Sequence, residues 1–181
     1  MTKGEFYHLF EATPGSCGVA WSAAGLTRIQ LPEATATETG ARLTAKGCAP
    51  WIGPPPSEIA ACIDLLKAYF AGEPVDFLSI TLDMTGLSSF EIDVYQALRR
   101  VGYGQTTSYG ALANQVGSPE AAQAIGMAMG RNPWPIIVPC HRVLAAARKI
   151  GGFTAPGGIT TKRKLLGMES RHMTSEQDLF G

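Results

Sequence analysis

The sequence predicts an α/β (α+β) protein: a small N-terminal sheet with a helix on it, followed by a mainly helical second half. Short runs of apolar and polar residues bounded by glycine fill the first thirty positions and indicate strands. Between residues 57 and 72, apolar residues recur at helical spacing. The strand-like pattern gives way to short capped helices near residue 85, so we predict two domains, residues 1–84 and 85–181.

The N-terminal domain is predicted to contain three short strands and a helix. The strands are residues 5–11, 17–23 and 26–31. Gly25 lies in the turn between the last two strands. A loop rich in Ala, Thr and Glu follows and leads to Ser57, which we expect to cap a helix that ends at Gly72. Residues 75–84 are a further strand candidate.

The C-terminal domain is predicted to begin with three short helices. A serine at position 88 or 89 caps the first helix, and its apolar face consists of Ile92, Val94, Tyr95 and Leu98. The second helix begins at Tyr109 and ends near residue 116. Ser118 is expected to cap the third helix, with Pro119 at its first position. Two helices about a glycine-containing turn are typical of a helix-turn-helix, and a plain αα-corner is the alternative.

The third helix contains neither Lys nor Arg, which is unusual for a helix that reads bases in the major groove. Its small residues Ala122, Gly126 and Gly130 recur every four positions and form one stripe. Such a stripe allows close approach to another surface. Two interpretations stay open, the narrow minor groove of DNA and a packing face against another helix.

Charge is distributed unevenly along the chain, although the net charge is zero. Residues 1–90 contain five Lys and Arg against nine Asp and Glu, and residues 91–181 contain ten against six. The positive half is compatible with an anionic partner, and ordinary solvated surfaces explain it equally well. The sequence shows no run of about 18 apolar residues and no secretory signal, so we expect a cytoplasmic protein without a membrane partner.

The four cysteines lie far apart and form no CxxC pair; they are Cys17, Cys48, Cys62 and Cys140. With only three histidines in the chain, this spacing argues against a zinc site. We expect free thiols in a reducing compartment, with the first three cysteines packed in the core.

Cys140 follows an apolar run and a proline in the segment IIVPCHRV, residues 136–143. The run favours a buried strand that supports the thiol, and His141 could accept the proton of that thiol. A carboxylate behind the histidine would hold its tautomer, and the acidic residues of this half are Glu91, Asp93, Glu120, Glu169, Glu176 and Asp178. These residues alone favour a buried structural cysteine over a nucleophile.

Two neighbouring segments strengthen the case for chemistry at Cys140. Asn132 and Pro133 connect the helix pair to the cysteine through a short, stiff segment. The glycine-rich residues 151–158 can fold over a flat ligand, and they lack the Lys and Ser/Thr of a phosphate loop. A basic helix at residues 160–170 then brings Glu169 back towards the core.

The segments SYGALANQVGSPEAAQAIG, NPWPIIVPCHRV, GGFTAPGG and KRKLLGME together resemble the O6-alkylguanine-DNA alkyltransferases, or methylated-DNA–protein-cysteine methyltransferases. The resemblance covers residues 88–169, whereas the N-terminal half is similar only in size and strand pattern. It implies a ribonuclease H-like N-terminal domain and a winged-helix-like C-terminal domain. It also implies DNA repair by single-turnover transfer of an alkyl group, chiefly methyl, from O6 of guanine, with O4 of thymine as a second source, to Cys140.

The resemblance implies roles for individual residues. Cys140 would accept the alkyl group, and His141 would take the thiol proton through a water. Glu169 would orient His141, Asn132 would brace the Cys140 turn, and Tyr109 would protonate the departing guanine. The residues expected to contact DNA are Tyr109, Ala122, Gln123, Ala124, Gly126, Gly130 and Arg131. The residues expected to line the substrate pocket are Tyr109, Trp134, Pro135, Val143, Phe153, Ala155, Pro156 and Gly157.

The partner implied by the resemblance is double-stranded DNA that contains O6-alkylguanine. The protein would bind the minor groove and flip the target base out of the duplex. It would act as a monomer without metal, cofactor or obligate protein partner.

Two positions depart from the pattern of that family. Gln123 stands where many members have an arginine that fills the gap left by the flipped base. Pro156 stands in the loop where members commonly offer a backbone N–H to the guanine oxygen, and proline has no N–H.

Two other functions compete with alkyl transfer. An alkyltransferase-like sensor of DNA damage shares this framework but replaces the cysteine, which Cys140 argues against. A Cys-His hydrolase would need an oxyanion hole and a triad that the sequence does not show.

Overall fold

A computed structural model describes residues 4–180 of the chain, with side chains up to Arg171. By its internal contacts the chain divides into two compact units, Met1–Thr85 and Gly86–Gly181. The predicted fold class is confirmed: a small sheet with helices forms the first unit, and the second is mainly helical. Within the described residues, no helix has the length and apolar character needed to cross a membrane.

The sheet of the first unit has four strands in the spatial order β3-β2-β1-β4. They are β1 (Phe6–Ala12), β2 (Gly15–Ser22), β3 (Gly25–Gln30) and β4 (Ala49–Pro50). Strands β1 to β3 pair antiparallel, and β4 runs parallel to β1. Gly25 is needed in the β2–β3 turn because its φ is +139° and a Cβ there would lie 2.8 Å from the Thr81 carbonyl oxygen.

Two helices accompany this sheet, one of which the sequence interpretation missed. Helix α1 (Ala36–Thr44) occupies the segment that was expected to be a loop. It begins with a capping box in which Thr35 and Glu38 each bond the other's backbone N–H, a spacing that is visible in the sequence. Helix α2 (Ser57–Phe70) is confirmed, but Ser57 is its first helical residue, not its cap.

The predicted strand at residues 75–84 is wrong. A turn closed by the Ile80 N–H and the Phe77 carbonyl interrupts the segment. Beyond it, only an isolated parallel bridge joins Leu82 to Leu26. The apolar run favours a buried strand, but Phe77 alone in this segment is buried and Leu78 is exposed, so the segment packs only in part and forms no ladder.

The second unit begins with three helices: α3 (Ser89–Arg99), α4 (Tyr109–Gln115) and α5 (Ala122–Gly130). Ser88 caps α3 in a capping box with Glu91, and Ser108 caps α4. The predicted cap at Ser118 is wrong. The Ser118 N–H closes the end of α4 on the Ala113 carbonyl, and a turn to Ala121 follows before α5 begins without a side-chain cap.

The predicted strand before Cys140 is also wrong. Residues 136–138 form a buried turn in which Ile136 has a φ of +77°. Cys140–Arg142 is a short 3-10 helix. Strand β6 (Val143–Leu144) follows and pairs in parallel with β5 (Thr107–Ser108), so the chain just before Tyr109 lies beside the chain just after the cysteine. The predicted basic helix is confirmed as part of α6 (Gly158–Phe180).

We expect Ser88→Ala to lower the free energy of unfolding of the second unit by about 1 kcal/mol, because α3 loses its capping box. Ser118→Ala is the matched control and should change it by less than about 0.5 kcal/mol, because α5 has no side-chain cap. Denaturant unfolding followed by circular dichroism measures both values. Equal losses in the two variants would contradict the assignment of the caps.

Candidate active site

Asn132 holds the turn that carries Cys140. Its side-chain N–H₂ donates to the Val138 carbonyl at 2.8 Å and to the Cys140 sulfur at 3.4 Å. Its side-chain oxygen accepts the Trp134 N–H at 2.9 Å. One amide therefore bonds both sides of the turn and the thiol itself, so the sulfur is fixed relative to the backbone.

His141 and Glu169 form a buried pair next to the cysteine. The distance between His141 Nε2 and Glu169 Oε1 is 2.8 Å, and the side chains of both residues are almost fully buried. Of the acidic residues considered from sequence, Glu91 belongs to the α3 cap, whereas Glu176 and Asp178 lie outside the described side chains. Glu169 is therefore the carboxylate that orients this histidine.

Arg142 completes the cluster and was missed by the sequence interpretation. Its guanidinium donates to both oxygens of Glu169, at 2.9 to 3.2 Å, and to the Val101 carbonyl at 2.6 Å. The Gly104 N–H also donates to Glu169, at 3.3 Å. The only signal for this role is the position of Arg142 beside His141, because arginine is usually a surface residue.

The electrostatics of the cluster favour an ionised Glu169 and a neutral His141. Burial alone would raise the pKa of Glu169, but hydrogen bonds from His141 and Arg142 outweigh it and lower that pKa to about 2. Burial lowers the pKa of His141 below its ordinary value; the hydrogen bond and charge of Glu169 act against this decrease, and the positive charge of Arg142 acts with it. A neutral imidazole is able to accept a proton.

Lys162 is a second basic residue that the sequence interpretation did not assign. It is fully buried, and its ammonium donates to the Val143 carbonyl at 2.7 Å and to the Gly152 carbonyl at 3.5 Å. It therefore joins β6 to the glycine-rich loop. Burial lowers the pKa of Lys162, and interaction with Cys140 opposes that effect.

Cys140 is half-buried, and burial raises the pKa of its thiol. The hydrogen bond from Asn132 and the charge of Lys162 act against this increase. The thiol is therefore mostly protonated near neutral pH and needs a base before it can attack. The other three cysteines are buried, and burial raises the pKa of Cys17 and Cys62 to about 12.

A cavity of about 160 Å³ opens onto Cys140. Its lining consists of Tyr109, Gly126, Met129, Gly130, Cys140, Gly152, Phe153 and Thr154. Tyr109 and Phe153 were expected in the pocket, and Gly126 and Gly130 were expected to face DNA. Gly152 and Thr154 belong to the 151–158 loop that was expected to fold over a ligand, whereas Met129 was not expected from the sequence. Because α5 contributes three of the lining residues, its small-residue face borders the thiol.

Other residues expected in the pocket lie elsewhere. Trp134, Pro135 and Val143 are buried in the core of the unit and do not line this cavity. Pro156, between Ala155 and Gly157, accepts the Thr161 hydroxyl at its carbonyl, and none of the three lines the cavity.

The outer face of α5 carries the residues expected to contact DNA. Ala122, Gln123, Ala124 and Gly130 are exposed, as is Arg131 at the end of the helix. Met127 is 54% exposed on the same helix and was not singled out from the sequence. Among the described residues, no group of three or more His, Cys, Asp or Glu side chains could hold a metal ion.

Comparison with known proteins identifies the family. The family model for the DNA-binding domain of 6-O-methylguanine DNA methyltransferase matches residues 89–171. The methylated-DNA–protein-cysteine methyltransferase of Mycobacterium bovis is 37% identical over 174 residues, which cover 96% of this chain and 98% of that protein. This chain belongs to the methylated-DNA–protein-cysteine methyltransferase family.

Solved structures of family members agree with this assignment. The crystal structure of Mycobacterium tuberculosis O6-methylguanine methyltransferase has a TM-score of 0.75 and 36% identity, and the match covers 98% of this chain and 99% of that one. The Mycobacterium tuberculosis protein OGT in complex with DNA has a TM-score of 0.72 and 36% identity, with 92% of this chain and 93% of that one covered.

We expect Glu169→Gln to destabilise the second unit by about 3 kcal/mol near neutral pH, because it leaves the buried guanidinium of Arg142 without its carboxylate. The low pKa of Glu169 contributes stability that is present above pH 4.5 and is lost as the pH falls towards 2. The stability difference between wild type and variant should therefore shrink in acid. Thermal unfolding between neutral pH and pH 2 measures it, and a constant difference would contradict the ionised carboxylate.

We expect Lys162→Met to move the pH dependence of the rate at which iodoacetamide alkylates Cys140 to higher pH. The reason is that the variant lacks a positive charge that favours the thiolate. The rate is measured against pH by mass spectrometry of the Cys140 peptide, with circular dichroism to show that the variant is folded. Lys162→Arg keeps the charge and should retain a profile close to the wild type. An unchanged profile in the methionine variant would show that Lys162 does not influence the thiol.

Proposed function

We propose that this protein repairs DNA by moving an alkyl group, chiefly methyl, from O6 of guanine, with O4 of thymine as a second source, to the sulfur of Cys140. The observation that carries the proposal is the braced Cys140 thiol at the cavity, next to the buried His141–Glu169 pair. Each chain reacts once, because the product is a stable thioether. The repair takes place in the cytoplasm, on chromosomal DNA, and a monomer without metal or cofactor suffices.

The proton of the thiol goes to His141. Its Nε2 is bonded to Glu169, so Nδ1 is the ring nitrogen that exchanges a proton with Cys140, through one water. The thiolate then attacks the alkyl carbon, a carbon–sulfur bond forms, and the bond from that carbon to the guanine oxygen breaks. The electron pair of the broken carbon–oxygen bond leaves with guanine.

Tyr109 is the proton donor to the leaving guanine. Its side chain lines the cavity, and burial raises the pKa of its phenol above the ordinary value, so that the hydroxyl keeps its proton near neutral pH. Ser108 caps α4 and fixes the helix start at Tyr109. Tyr109 and the Cys140 thiol therefore line the same cavity.

The DNA surface of the proposal is the exposed face of α5. Its small residues permit close approach to the sugar edges of the minor groove. Arg131, the residue after the helix, is exposed and can contact phosphate. The target base has to leave the duplex because Cys140 is recessed at the cavity, not on the surface of the helix. The positive charge of residues 91–181 favours this encounter.

Incubation with duplex DNA that contains O6-methylguanine should add one methyl group to Cys140, detected by mass spectrometry of the peptide. Cys140→Ala should take up no methyl group, because the other three cysteines are buried. An unmodified Cys140 peptide with retained DNA binding would instead support a damage sensor. Hydrolysis of an ester substrate without methyl transfer would support a Cys-His hydrolase.

We expect Gln123→Arg to tighten binding to DNA by about tenfold, because an exposed position of α5 gains a charge that pairs with phosphate and a planar group that stacks on bases. Fluorescence anisotropy with labelled duplex at fixed salt measures the dissociation constant. Gln115→Arg, on α4, is the matched control for a gain of charge alone. Unchanged or weaker binding of the first variant would remove position 123 from the interface.

A further inference from the structure

Tyr95 is a fully buried tyrosine of α3 that the proposed chemistry does not use. Its hydroxyl donates a hydrogen bond of 2.7 Å to the carbonyl oxygen of Ala128. Ala128 lies in the last turns of α5, and its carbonyl also accepts the Arg131 N–H at 3.1 Å. The phenol is therefore a second donor to a carbonyl at the end of the helix that is proposed to meet DNA.

The ring of Tyr95 also contacts the segment that carries the cysteine. It packs edge-to-face on Trp134, with ring centroids 5.8 Å apart and an interplanar angle of 88°. The Trp134 N–H bonds to Asn132, and Asn132 donates to the Cys140 sulfur. A single side chain thus contacts the end of α5 and the turn that holds the thiol.

Packing of the ring alone does not explain why residue 95 is a tyrosine with a buried hydroxyl. A phenylalanine ring would fill the same space, and a buried hydroxyl without a partner would be unfavourable. Burial raises the pKa of Tyr95 to about 12, so the hydroxyl keeps its proton near neutral pH and remains a donor. The hydroxyl can therefore donate to the Ala128 carbonyl, 2.7 Å away, without first gaining a proton.

We propose that Tyr95 is a positioning residue that sets the distance between α5 and the Cys140 sulfur, so that a base delivered by DNA meets the thiolate at attack distance. The role rests on the function proposed above. DNA bound to α5 fixes where the flipped base enters the cavity, so a small shift of α5 relative to the thiol misaligns the reaction. A free alkylated base has no such tether and adjusts its own position.

The test compares wild type with Tyr95→Phe, using O6-benzylguanine once within duplex DNA and once as the free base. We expect the rate of transfer from saturating DNA to fall about tenfold, with an unchanged dissociation constant for DNA and a free-base rate within about twofold of wild type. Tyr69→Phe is the matched control, since it removes the hydroxyl of a fully buried tyrosine in the first unit. It should leave both rates unchanged at a temperature where all variants are folded.

The outcomes separate this role from the proposed function. If Tyr95→Phe slows both substrates equally, or slows neither, Tyr95 does not position α5 against the thiol. If Tyr69→Phe reproduces the selective loss, the effect does not come from the contacts of Tyr95. If the wild type transfers from neither substrate, the proposed function itself fails. A selective loss with DNA in Tyr95→Phe alone supports the proposal.

Discussion

The buried carboxylate of Glu169 is the contact on which the rest of the site depends. It accepts hydrogen bonds from His141, Arg142 and the Gly104 N–H, and so joins α6 to the 3-10 helix and to the segment after α3. A buried charge without partners is strongly unfavourable, so these segments have to stay together. The position of the thiol follows from this constraint, because Cys140 begins the same 3-10 helix that ends at Arg142.

The charges of the cluster lie on Glu169 and Arg142, whereas His141, beside the thiol, is neutral. Burial lowers the pKa of His141, and the charge of Arg142 offsets that of Glu169, so His141 is neutral and able to take a proton. Cys140 is not a permanently ionised thiol, because burial raises its pKa and Asn132 and Lys162 only moderate that effect. A thiol of this kind reacts when a substrate and a base are both in place, which suits a residue that is consumed in a single reaction.

The sequence predicted which residues form the candidate site better than it predicted the structure that holds them. Cys140, His141 and Glu169 follow from residue chemistry and family resemblance, and the structure brings them together. The strand before Cys140 was predicted wrongly, because an apolar run cannot distinguish a strand from a buried turn. Lys162 and Arg142 were missed because burial of basic residues depends on distant partners, which no local pattern reveals. The same applies to the hydroxyl of Tyr95, whose partner lies 33 residues away.

The protonation state of His141 decides whether this residue can act as the base for Cys140, and nitrogen NMR of isotopically labelled histidine measures it. We predict a neutral ring near neutral pH, with the proton on Nε2 facing Glu169 and an unprotonated Nδ1. His141→Gln identifies the signal among the three histidines of the chain. A ring protonated on both nitrogens near neutral pH would rule out His141 as the base, because such a ring could not accept the proton of Cys140.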